Sequence, residues 1–251
     1  MGVLAITSAF IYCGAVDITG AADELTCRAE AETRESTTLR SAQTGWRSFK
    51  NTLKASTVSN SGFWSSDSAA DLDPDFFTNL GVSNQVITCG MIETEGELAH
   101  FMRHMTTEYT FPQGNVGDLA KFALNSSGSD GQIGQIRGKL FKEYGSGTAT
   151  SSTGAIGTGI QLGAVGGAQF LYGALHLFGT AGTSITVIVQ SDDNSGFTTP
   201  TTRGTFNGGS ITAAGGYWLT PVAGAITDDY WRLNVSAISG SWVIGGALGI
   251  R

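Results

Sequence analysis

His100 and His104 stand four residues apart in the segment GELAHFMRHMTTEY (residues 96–109), with Glu97 and Glu108 on either side. On a helix this spacing would put both imidazoles on one face, as half of a metal site. The sequence is HFMRH and not HExxH, and no third ligand is evident. On a strand both rings still share one face and need no metal. Asp192, Asp193 and Asn194 form part of a calcium-loop pattern, but the alternating ligand spacing and the closing Glu are missing. A polar hairpin turn is the simpler reading. Asp228 and Asp229 precede Tyr230-Trp231-Arg232. Neighbouring carboxylates on a strand point to opposite faces, so they cannot flank one bond as a glycosidase pair does. The glycines at 157, 159, 163, 166 and 167 lack the GxGxxG spacing of a phosphate loop. A serine or cysteine nucleophile needs a His base and an orienting acid. With three His and no GxSxG elbow, none stands out. No catalytic, cofactor-binding or metal-binding set is expected, and an enzyme is not.

The elements that must position these residues read as mainly β. The chain has 251 residues, 36 of them Gly and only 4 Pro, and 14% charged side chains. Its 24 aromatic residues (5 Trp, 6 Tyr, 13 Phe) are more than a disordered chain carries. Strands are expected at about 3–12, 24–31, 52–63, 86–91, 100–109, 118–125 and 133–144. Residues 97–107 fit both a helical and an alternating pattern, and the strand is preferred. One helix is expected over 69–80. Asp71 and Asp73 precede Pro74 in its first turn, and Gly81 ends it. Beyond residue 158, strands are expected at 169–178, 184–191, 201–206, 217–220, 229–237 and 241–248, separated by Gly, Asp and Asn turns. That spacing suits a sandwich or jelly roll.

Composition also divides the chain. The segment GSGTATSSTGAIGTG (residues 145–159) is small, polar and uncharged, as linkers are. The expected organisation is a β domain over 1–145, a linker over 146–158 and a second β-sandwich over 159–251. Residues 1–150 hold 11 Lys/Arg against 17 Asp/Glu, and residues 151–251 hold 3 against 4, for a net charge of -7. An acidic chain does not grip nucleic acid, but it can let nucleic acid pass without sticking. Cys13, Cys27 and Cys89 are odd in number, which argues against a disulfide framework and for a reducing cytosol during synthesis. No run reaches the roughly 18 apolar residues of a membrane span. The apolar start is read as a buried or inter-subunit strand, and no membrane partner is expected.

The order of motifs from Asp17 to Trp64 resembles the N-terminal half of the major tail tube proteins of long-tailed bacteriophages. DITG (17–20) and ADELT (22–26) come first, then the Thr-rich RESTT (34–38). Gly45-Trp46-Arg47 follows, and Leu53, Val58, Gly62 and Phe63 lie at the spacing such a strand carries. GELAHFMRHMTTEY, then GNVGDLAKFAL (114–124) and RGKLF (137–141), are similar to the middle of such proteins. QLG (161–163), SDDNSGF (191–197), DDYWRL (228–233) and GGALGI (245–250) are similar to the C-terminal part of tail-protein sequences of this size.

The resemblance implies a tail-tube-type antiparallel β-sandwich or barrel with one short helix, followed by a jelly-roll-like C-terminal sandwich. It implies a structural virion protein whose six copies form a ring, with rings stacked into a tube for DNA ejection. Its partners would be other copies of itself, tape measure, terminator and distal tail proteins, and DNA passing non-specifically through the lumen. Assembly would take place in the host bacterial cytoplasm. The loop 32–45 and the N-terminal strand are the expected stacking elements. Glu30, Glu32, Arg34, Glu35 and Arg40 are the expected lumen or inter-ring residues, the acids to repel DNA and the Arg side chains, Arg28 among them, to make inter-ring ion pairs. Two other readings are a capsid decoration or head-fibre protein and a carbohydrate-binding module presenting Tyr217, Trp218 and Trp231.

Overall fold

A computed structural model of the chain describes residues 8–37, 47–65, 72–131, 133–145, 147–179 and 182–251. The order is β1 (Phe10–Cys13), β2 (Val16–Asp17), β3 (Ala22–Glu35), β4 (Phe49–Phe63), α1 (Leu72–Thr78), β5 (Gln85–Gly90), β6 (Leu98–Gln113), β7 (Lys121–Gly128) and β8 (Ile136–Lys142). It continues with β9 (Gly154–Gln161), β10 (Phe170–Phe178), β11 (Ser184–Asp192), β12 (Thr201–Thr205), β13 (Gly215–Trp218), β14 (Val222–Ala223), β15 (Tyr230–Ser239) and β16 (Val243–Ile250). The protein is mainly β with large antiparallel sheets, as the sequence patterning requires. Residues 3–7 of the first expected strand, 38–45 of the expected loop and 69–71 of the expected helix lie outside the described residues.

The larger sheet follows the path β13-β10-β16-β8-β6-β5-β1-β2, with β7, β4 and β3 continuing from the second half of β6. Strand β6 is 16 residues long and changes neighbour partway: Leu98–Phe101 pair with β8, and residues from His104 onward pair with β7. The first path curls on itself until β13 meets β5, where a Cβ on Gly216 would lie 2.8 Å from Val86 Cβ. Glycine permits that approach. Inside the curl lie Phe10, Tyr12, Phe101, Leu140, Tyr172 and Phe178. Tyr12 meets Phe178 edge-on at 5.2 Å, the geometry aromatic quadrupoles favour. The Tyr12 hydroxyl donates to Glu93 Oε1 (2.7 Å) and accepts from the Tyr144 N–H (2.8 Å), tying β1 to the end of β8.

A second core under α1 contains Ile11, Val58, Phe76, Ile87, Met102 and Phe122. Helix α1 buries Leu72 and Phe76, one turn apart, and carries Asp73 and Asp75 in its first turn, where the helix dipole favours acids. Asp73 also accepts hydrogen bonds from Tyr109 and Trp64.

The smaller sheet runs β12-β11-β15-β9 and packs on β10 and β16 over the third core, which includes Leu175, Val187, Leu233, Trp231 and Trp242. This is the expected C-terminal sandwich, but one of its two layers belongs to the sheet that begins in the N-terminal half. Strand β16 pairs with β8 through Ala247–Leu140 and Leu248–Lys139, so backbone hydrogen bonding crosses the expected boundary. The expected linker at 146–158 ends inside a strand, β9, whose Ile156 and Ile160 enter the third core. A Gly-rich stretch can still be a strand when two well-placed isoleucines are buried by it.

Candidate assembly surface

Strands β3 and β4 form a long antiparallel arm. Val58 and Asn60 at its base are buried, and this half of β4 lies between β3 and β7. Outward from Thr57 the support ends: residues 49–56 of β4 pair with β3 alone. Among the described residues, β3 has no strand on its other side. Nearly every residue of β3 from Thr26 to Glu35 is exposed. Its small and charged residues alternate, and the strand is held by pairing with β4, with little help from burial.

The side chains sort by face. Arg28, Glu30, Glu32 and Arg34 share one face as a ladder of charges. Arg28 meets Glu30 at 2.6 Å, and Arg34 meets Glu32 at 2.5 Å. Glu35 reaches Arg47 at 3.9 Å. The other face offers Cys27, Ala29 and Ala31, which are small. At the base, Asp23 accepts from Lys121 Nζ (2.8 Å) and the Ser61 hydroxyl (3.0 Å), and both hold its carboxyl below the usual carboxylate range. The two arm strands together carry five acids and four bases, and Arg47 just before β4 brings the arm to local neutrality.

This alters the placement expected from sequence. Glu32, Arg34 and Glu35 are strand residues and not part of a loop, because β3 continues to Glu35. Their charges are matched within the subunit. Arg40 lies outside the described residues.

Apolar side chains mark the two ends of the same sheet. Phe49 and Leu53 (73% exposed) stand toward the arm tip. Val116, Leu119 (73% exposed) and Phe63 stand at the opposite end, around the β6–β7 turn, because Phe63 pairs with Lys121 at the start of β7. Lys121 Nζ also lies 5.4 Å from the centre of the Phe63 ring.

The residues with chemical promise are absorbed by structure. His100 and His104 sit on a strand, on the same face. His104 is buried, with Nε2 3.7 Å from Cys13 Sγ, and burial and nearby His176 pull its pKa down to about 3. His176 crosses the curl: its ring bonds Thr88 Oγ1 at 2.8 Å and the Gly14 carbonyl at 3.0 Å, and burial lowers its pKa to about 4. No local pattern singles out His176 in the sequence. Asp192 accepts backbone N–H bonds from Asn194 and Thr199, the expected turn. Asp228 accepts from the Ser191 hydroxyl (2.6 Å) and Arg203 (2.8 Å), which hold its pKa below the usual range. Trp231 is fully buried with its Nε1 donating to the Gly163 carbonyl, and Trp218 packs against Phe101 and Tyr172. Trp231 therefore offers no face to a sugar. Cys27 and Cys89, 62 residues apart, bring their Sγ atoms to 2.9 Å, a proximity that spacing could not reveal. Among the described residues, no group of three His, Cys, Asp or Glu side chains gathers to hold a metal.

No family model and no curated protein matches the chain. Among solved structures, it is similar to a chain of a native gene transfer agent virion: TM-score 0.38, 18% identity, covering 51% of this chain and 95% of that one. It is similar to a chain from the tail of an empty gene transfer agent particle, determined with sixfold symmetry: TM-score 0.36, 18% identity, 49% of this chain and 92% of that one. It is also similar to the Dit protein of phage SPP1, described as a paradigm of the hub adsorption apparatus of phages that infect Gram-positive bacteria. That match has a TM-score of 0.35 and 11% identity, and covers 98% of this chain and 100% of the other.

Proposed function

We propose that this chain is a structural subunit of a phage-type tail, and that its copies stack as rings into a tube through which DNA leaves. The arm is the observation that carries the reading. Among the described residues the outer edges of β3 and of residues 49–56 of β4 have no neighbouring strand, an arrangement proteins tolerate when another strand covers it. A neighbouring copy offering an edge would pair with those edges by strand addition. The apolar tip and the apolar β6–β7 turn lie at opposite ends of one sheet, so tip-to-turn contact is head-to-tail and repeats without limit. The sequence resemblance to tail tube proteins adds a ring of six.

In that assembly the internally paired arm charges leave little field of their own, and passage of DNA rests on the net charge of -7. Tape measure, terminator and distal tail proteins would meet the tube at its lumen and ends, and the virion is the expected location. The test is negative-stain electron microscopy over a concentration series. The full chain should give rings or tubes of constant axial repeat. A variant with residues 30–54 replaced by a short Gly-rich turn should keep its circular dichroism and stay monomeric. A full chain that remains monomeric at every concentration sinks the reading, and compact trimers would point to a shell decoration protein.

A further inference from the structure

Cys27 lies on β3 at the base of the arm, directly opposite Val58 of β4. Cys89 lies on β5, held between Ile11 of β1 and His100 of β6. The two sulfurs meet across the layers at 2.9 Å, and neither is in a disulfide. A disulfide needs about 2.05 Å, so closing the bond asks for a movement of about 1 Å. Cys27 is exposed, whereas Cys89 is buried. The third thiol, Cys13, is buried against His104.

We infer that Cys27 and Cys89 are a redox pair that low-molecular-weight disulfides oxidise to an intramolecular bridge, fastening the arm to the body. The Cys27 thiolate attacks one sulfur of oxidised glutathione. The glutathione S–S bond breaks, a Cys27–glutathione bond forms, and one glutathione leaves, taking up the proton Cys27 gave. Cys89 then loses its proton and attacks the Cys27 sulfur, releasing the second glutathione. Two protein thiols are oxidised and one small disulfide is reduced to two thiols. The roles follow from access, since only Cys27 meets solvent. The hydrogen bond from Cys89 pulls the Cys27 thiol below its ordinary range, and the same bond, with burial, pushes Cys89 well above it.

The consequence is mechanical. Among the described residues strand β3 pairs with β4 alone, and the bridge would add a covalent tie to β5. A reducing cytosol leaves the pair open, and an oxidising exterior closes it.

The full-length protein, purified under reduction, is exposed to oxidised glutathione and then unfolded in acid for thiol counting, intact mass and peptide mapping. Thiols should fall from three to one, with a mass loss of about 2 Da and a linked Cys27–Cys89 peptide. The melting temperature should rise by roughly 10 °C and return on reduction. Cys27→Ser, at an exposed site, should abolish the mass loss, and Cys13→Ser should leave it intact. A stable glutathione adduct on Cys27, a bridge through Cys13, or three unchanged thiols would overturn the inference.

Discussion

Moving from pH 8 to pH 5 should weaken the fold through two imidazoles that the interior keeps neutral. His176 is fully buried inside the curl between Thr88 and Gly14, with its pKa at about 4. His104 lies beside Cys13, with its pKa at about 3. In the unfolded chain both return to the ordinary value of 6.5. A base depressed on folding contributes stability that is complete above 6.5. That contribution is lost as pH falls toward the folded value, because the unfolded state binds the proton first. At pH 5 each histidine accounts for a loss of about 2 kcal/mol, so the pair accounts for about 4 kcal/mol. Asp17, Asp75 and Glu93 act in the opposite direction, since burial raises all three and they stabilise the fold as they take up protons. A double difference removes them. In urea unfolding followed by tryptophan fluorescence at fixed ionic strength, His176→Gln should lose about 2 kcal/mol less than the parent between pH 8 and pH 5. Equal pH dependence in parent and variant would refute the assignment of this cost to His176.

Four further substitutions probe the packing. Gly138→Ala places a Cβ 2.1 Å from the Leu248 carbonyl, so it should part β8 from β16 and cost about 2 kcal/mol or more in urea unfolding. Gly131→Ala, with nothing within 4 Å, should be close to neutral in the same measurement. Trp242→Ala empties a fully buried site and removes the donor to the Ser184 carbonyl, and should cost about 3–5 kcal/mol by thermal or chemical unfolding. Glu95→Ala removes the acceptor shared by Lys142 Nζ and the Thr158 N–H and should cost about 1 kcal/mol, with faster hydrogen exchange in β9.

Alternation and turn chemistry carried much of the fold in the sequence. The apolar run of β10 and the alternating β11 are legible because a buried strand must be apolar where it faces a core. Residues 97–107, which fitted two periods, are a strand because β5, β7 and β8 all pair with it. Strand β9 was hidden because its burial rests on Ile156 and Ile160 amid small residues that read as a linker. The sheet shared across the expected domain boundary was hidden because composition records solvent exposure and not which edge a strand adopts. At the candidate surface, the residue types were legible but their setting was not. Glu32 and Arg34 read as loop because an unburied strand has no apolar face to announce it. The approach of Cys27 to Cys89, and of His176 to Thr88, depends on layers meeting across long separations, which no local pattern encodes.

The place of β16 between β10 and β8 has a consequence for synthesis. Strand β8 leaves the ribosome some hundred residues before its neighbour β16 does, and until then its edge and that of β10 stand open. The arm hairpin, by contrast, is local and can pair as soon as Phe63 has emerged. Long-range pairing is slow to form and exposes edges meanwhile. A nascent chain therefore displays its exposed arm well before the body that must carry it is closed. Where many ribosomes share one message, the open arms of neighbouring chains would meet before either body has closed.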